Sequence, residues 1–106
     1  MARYLLQVAY TQSGVQGVLK EGGTSRRDTI GKLVANAGGT METFDYAFGE
    51  DDVILIVDLP DHSTMAALSM AVGASGAART KTTPLITPEA IDRAAGISVG
   101  YRAPGA

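Results

Sequence analysis

Residues 53–59 read VILIVDL, six apolar side chains broken only by Asp58. A β-strand with water on one side alternates apolar and polar residues, because successive side chains point to opposite faces of the sheet. This segment does not alternate. Val53, Leu55, Val57 and Leu59 form one apolar face, while Ile54 and Ile56, with Asp58 at their end, form the other. The acidic loop GEDD (49–52) precedes the run and Pro60 follows it, so it reads as a strand in the middle of a sheet, with both faces needing cover.

The rest of the chain supplies the neighbours. RYLLQVAY (3–10) is rich in β-formers and stops at the turn residues TQSG. Val15, Val18 and Leu19 then fall at helical spacing as far as Gly22-Gly23. From Thr24 a stronger stripe, Ile30, Leu33, Val34 and Ala37, runs to Gly38-Gly39. One helical segment in two pieces, kinked at the first glycine pair, is predicted. TMETFDYAF (40–48) alternates, with Phe44, Tyr46 and Phe48 against Asp45, and is a second strand. DHSTMAALSMAVGASG (61–76) sets Met65, Leu68, Ala71 and Val72 on one helical face, with Asp61 or Ser63 as N-cap. AARTKTTPLI (77–86) is a fourth strand whose proline suits an edge or a strand end. TPEAIDRAAG (87–96) has Thr87 at an N-cap and Pro88 at the first helical position, a short final helix before a Gly/Pro-rich tail.

The order βαββαβ, carried by a single domain over 1–106, defines the fold class as α+β. It is a ferredoxin-like plait, a four-stranded antiparallel sheet in spatial order 4-1-3-2 with helices on one face, followed by a short C-terminal helix and tail. The first and third strands are then central. Leu6 and Val8 join Val53, Leu55 and Val57 under the helices, and Leu5, Ala9, Ile54 and Ile56 lie on the face the helices leave bare. An aliphatic sheet face needs a covering surface. The segment 88–106 and a second copy of the chain are the two available covers, and a homo-oligomer, most simply a dimer, is expected.

Composition narrows the partners. A net charge of −2 and a pI near 5.2 leave no basic footprint for nucleic acid. The third strand also lacks the aromatics that stack bases in RNA-recognition plaits. There is no cysteine, hence no disulfide, thiolate metal site or thiol nucleophile. MARYLLQVAY does not match a signal peptide and no run suits a membrane span, so the expected compartment is the cytoplasm.

Candidate chemistry is sparse. Glu50, Asp51 and Asp52 lack the spacing of a calcium loop and read as solvated turn residues. Asp58 interrupts a central strand, where a buried carboxylate needs a partner; Arg3, on the facing end of the first strand, is the expected one. His62, the only histidine, cannot build a zinc site alone but can serve as acid or base, or sit at a helix start. KEGGTSRRDT (20–29) sets Arg26 and Arg27 beside a helix start without P-loop spacing. Arg79 and Lys81 share one face of the fourth strand, guarding an edge or facing a pocket. No Gly-x-Ser-x-Gly elbow is present.

Several blocks in order, among them VLKEGGTSRRD, GGTMETF, FGEDDV, VDLPD and ASGAARTKTTPLITPE, resemble the GYD-domain proteins, a family of short, mostly bacterial proteins. The resemblance implies a ferredoxin-like fold of the dimeric α/β-barrel kind and supplies no reaction and no catalytic residues. The expected function is a small oligomeric binding or accessory module. It would hold an anionic or aromatic metabolite between sheet and subunit interface through Arg26, Arg27, Arg79 and Lys81, with no cofactor and no metal. The alternatives are a cofactor-free enzyme using Asp58 or His62 in the same cavity, and a structural assembly subunit.

Overall fold

The computed structural model describes residues 1–106. In chain order its elements are β1 (Ala2–Tyr10), α1 (Gln12–Glu21), α2 (Gly23–Asn36), β2 (Thr40–Tyr46), β3 (Val53–Leu59), α3 (His62–Ala74), β4 (Ala78–Leu85) and α4 (Pro88–Ala95). The four strands form one antiparallel sheet in the order β2-β3-β1-β4, the ferredoxin-like plait. No helix is long and apolar enough to cross a membrane.

The register fixes the two faces. Tyr4 lies opposite Val57, Leu6 opposite Leu55 and Val8 opposite Val53. These residues, with Leu59, Val34 and Met65, make the core beneath the helices. On the other face Leu5 opposes Ile56 and Gln7 opposes Ile54, and no element of the chain lies over them. The bare face inferred from the largely apolar run at 53–59 is therefore present.

Chain punctuation follows the residues. Thr11 caps α1, its hydroxyl accepting from Gly14 N–H, and Asp61 caps α3 through Thr64 N–H. Hydrogen bonds from the backbone and hydroxyl of Thr64 hold the Asp61 carboxyl below the ordinary carboxylate range. Gly22, at φ 91, breaks the helix between α1 and α2 at the predicted pair. Thr87 and Pro88 start α4 as read from sequence.

Three expectations need correction. β2 stops at Tyr46, and Phe48 is fully exposed in the following loop instead of continuing the apolar face. Val15 and Leu19 of α1 face solvent; that helix is anchored instead by buried Gly14, packed on the carbonyl of Ala77. The alternation in β2 also breaks at a bulge between Met41 and Thr43. Bulges carry one unpaired extra residue, which reverses side-chain parity on either side. Met41 thus packs inward against the core, and the Glu42 side chain comes out on the bare face.

Gly39 makes a second close approach. A Cβ there would stand 2.2 Å from the carbonyl oxygen of Asp58 and 2.6 Å from a Leu59 methyl. Backbone cannot yield as a side-chain tip can, so Gly39→Ala is expected to lower the unfolding free energy by about 1–3 kcal/mol, the range for overpacking. Urea denaturation of the two proteins measures it; equal midpoints would show that the α2–β2 connection is looser than this contact requires.

Candidate functional site

On the helical side, α2 packs on β2 and α1, while α3 packs on β4 and β3. The sheet between them stays open as a cleft of about 480 Å³, within the size range of small-molecule sites. Its floor is Leu6, Val8, Phe44, Val53 and Leu55. Ile30 and Leu33 of α2 form one wall and Ala71 and Val72 of α3 the other, with Arg26 and Lys32 among its few charged lining residues. The cleft follows from side-chain size, because the alanine-rich α3 offers only small residues where a leucine or phenylalanine would close the gap.

At one end of the cleft stands Tyr10. Burial, reinforced by the neighbouring Tyr46 hydroxyl and opposed by Arg26, pushes the Tyr10 phenol up to about 12. The Tyr46 ring lies against Gly23, and its hydroxyl donates to the Gly23 carbonyl at 3.1 Å. Arg26 makes only a loose contact with Glu21, at 3.8 Å, so its guanidinium keeps donors to offer.

The four candidate cations do not converge. Arg26 borders the cleft; Arg27, one residue on, pairs with Asp28 at 3.2 Å and is not among the cleft residues. Arg79 and Lys81 lie on the opposite side of the sheet, in an open hollow of about 610 Å³ where Ala9 is the only apolar lining residue. Lys81 there already stands 3.6 Å from Asp51, which also accepts from Gln7 Nε2 at 3.0 Å.

The acids and the histidine are placed with equal clarity. Asp51 and Asp52 are bonded instead of merely solvated. Asp52 accepts from Tyr10 N–H at 2.8 Å, and its own N–H donates to the Val8 carbonyl at 2.8 Å, tying the loop to the end of β1. Asp58 lies directly opposite Arg3 in the ladder, but Arg3 reaches past it to Glu42, Nε to Oε2 at 2.8 Å. The bulge at Met41/Thr43 presents that competing carboxylate, and one Asp58 oxygen, Oδ1, is left buried without a partner. The His62 Nδ1 meets the hydroxyl of Tyr4, with the two rings edge-to-face at 5.6 Å. Neither Asp58 nor His62 lines the cleft, and no three His, Asp or Glu side chains group as metal ligands.

A ferredoxin-like plait with an apolar cleft on its helical side and a bare second face is the class of protein that this geometry defines. The GYD domain family model matches residues 4–95, and the chain belongs to that family. No curated protein and no solved structure matches the chain.

Tyr10, Lys32 and the Tyr4–His62 pair were missed from sequence. Tyr4 and Tyr10 bracket the apolar parity of β1, which marks them as core-facing, but their hydroxyl partners are distant in the chain. The His62 contact satisfies a phenol that is only 2% exposed. His62→Ala is expected to lower stability by about 1 kcal/mol, and Tyr4→Phe/His62→Ala to lose no more than that single variant, in urea melts. A double variant losing the sum of two independent effects would remove the pairing.

The Tyr10 phenol keeps its proton in the folded chain after an unfolded chain, at an ordinary value near 10, has lost it. Stability is therefore fully present below pH about 10 and falls as pH rises from there through about 12. Tyr10→Phe should flatten that alkaline fall; an unchanged pH profile would locate the titration elsewhere.

Proposed function

We propose that the chain is a small oligomeric binding module whose ligand is a small metabolite with an aromatic or aliphatic body and an anionic group. The observation that carries the reading is the cleft of about 480 Å³ between α2 and α3, apolar on its floor and walls, with Arg26 and Lys32 among its lining residues. Apolar lining with a few placed polar groups is the pattern of small-molecule sites, where the body supplies affinity and the charges fix orientation. Arg26 is the anion-recognising group, since a guanidinium can grip a carboxylate or phosphate through two hydrogen bonds. Lys32 adds a point charge. The Tyr10 phenol, neutral at physiological pH, is available as a donor at the same end.

The reading assigns one of the four candidate cations, Arg26, to the ligand, and seats the ligand under the helices instead of on the bare sheet. A proton-moving role has no support from placement, because Asp58 is on the far side of the sheet and His62 is committed to Tyr4.

Native mass spectrometry of protein purified from its own host tests occupancy directly. A bound small molecule is expected at one per chain in the wild type. It should be lost or weakened at least tenfold in Arg26→Leu, and excluded by Ala71→Trp, which fills the wall of the cleft. Retention of the same molecule by both variants would place the ligand elsewhere.

A further inference from the structure

The chain exposes 7161 Å², whereas a folded monomer of 10.9 kDa is expected to expose roughly 5,600 Å². Its radius of gyration is 17.1 Å against roughly 13 Å for a compact domain of this length. The segment after β4 contributes to both excesses, and the bare sheet face adds to the exposed area.

Residues 86–106 form an arm. Its hydrogen bonds are all internal, Ala90 N–H to Thr87 Oγ1, Gly96 N–H to Arg93 O and Arg102 Nε to Ala106 O among them, and α4 makes no extensive packing contact with another element of the chain. Yet the arm carries Ile91, Ile97, Val99 and Tyr101, all between half and four-fifths exposed. An eight-residue helix does not hold itself together in water, since most helical stability comes from packing an apolar face. The arm leaves the body instead of turning back across it, stretching the molecule to 58 Å.

The bare face carries the complementary features. Leu5, Ile54 and Ile56 supply apolar surface. At the Asp58 end, Oδ1 is the only buried side-chain oxygen or nitrogen without a partner. The arm brings Arg93, whose guanidinium has no hydrogen-bond or ion-pair partner, and Arg102, which is held only to the Ala106 oxygen four residues on. β4 ends with Leu85 opposite Arg3, so the arm departs from the same end of the sheet.

We propose that two copies of this chain exchange arms. The exposed apolar side chains of residues 86–106 of each copy cover the bare sheet face of the other, and an arginine of the arm meets Asp58. One surface supplies both halves of a two-fold interface. The excess area of ~1,600 Å² per chain is of the size an obligate homodimer removes. The cleft between α2 and α3 lies on the opposite side and stays open, so arm exchange stands or falls independently of ligand binding.

The absence of cysteine gives a clean test on the full-length chain. Val99→Cys and Ile54→Cys are prepared separately, mixed and oxidised, with Val99→Cys plus Leu19→Cys as control, Leu19 being exposed on α1. A disulfide joining the first pair at least tenfold faster than the control is expected. Light scattering should give twice the chain mass, and Ile91→Asp/Ile97→Asp should raise the dimer dissociation constant at least tenfold with strand circular dichroism retained. A monomer at micromolar concentration overturns the proposal. So does a dimer indifferent to the two aspartates, which would be sheet-on-sheet alone, or a Val99→Cys/Ile54→Cys chain that closes within itself.

Discussion

The pairing of β1 with β3 is the contact from which everything else in this molecule is arranged. Both strands sit in the interior of the sheet; β3 is apolar on both faces, and β1 adds Leu5 and Ala9 between Arg3 and Gln7 on its second one, so the ladder from Ala2–Leu59 to Val8–Val53 carries apolar surface above and below. The helices enclose one side, where Tyr4, Val53, Val57 and Leu59 are essentially removed from water. Nothing in the same chain encloses the other. Only ten of 106 residues are buried, and none of them lies on the bare face. A single uncompensated constraint on β3 therefore leaves both an apolar sheet surface and an Asp58 oxygen without a partner.

The cleft has a separate origin. A helix closes on a sheet only as far as its side chains fill the space between, and α3 presents only Ala71 and Val72 there. The small residues that suggest close packing instead leave an opening. It is bounded by the mid-sheet aliphatics, by Leu33, which stays partly exposed, and by Arg26 just past the helix break. That break depends on Gly22, and Gly23 leaves room for the Tyr46 ring against the start of α2. Local backbone permissiveness and side-chain size thus decide a feature that no motif announces.

This distinction explains what was legible in the chain. Periods of 2.0 and 3.6 residues, glycine pairs, and Thr or Asp caps are local, and they carried the element order, the sheet order and both sheet faces. Errors came where one residue changed the count or where two distant segments met. The bulge at Met41/Thr43 reversed the parity of Glu42 and gave Arg3 a partner other than Asp58. Tyr4 and His62 are 58 positions apart, and their contact has no sequence signature. Arg26 and Arg27, adjacent in a conspicuous basic pair, diverge because neighbouring helical residues point about 100° apart. Charge type was readable; convergence was not.

The position of β1 also shapes how the chain comes into being. It is the first of the four strands in chain order, but one of its two edges is satisfied only by residues 78–85. Until those emerge, Leu5 and Leu6 sit on a strand with open N–H and C=O groups along one side, the arrangement that recruits other chains into edge-to-edge aggregates. Pairings of such long sequence separation also form slowly. Lys81 and Arg79, on the strand that finally closes this edge, then occupy the new rim of the sheet, where charge discourages further strand addition. Until residue 78 leaves the ribosome, that edge of β1 has no native partner, and incomplete chains with open strand edges are the aggregation-prone species.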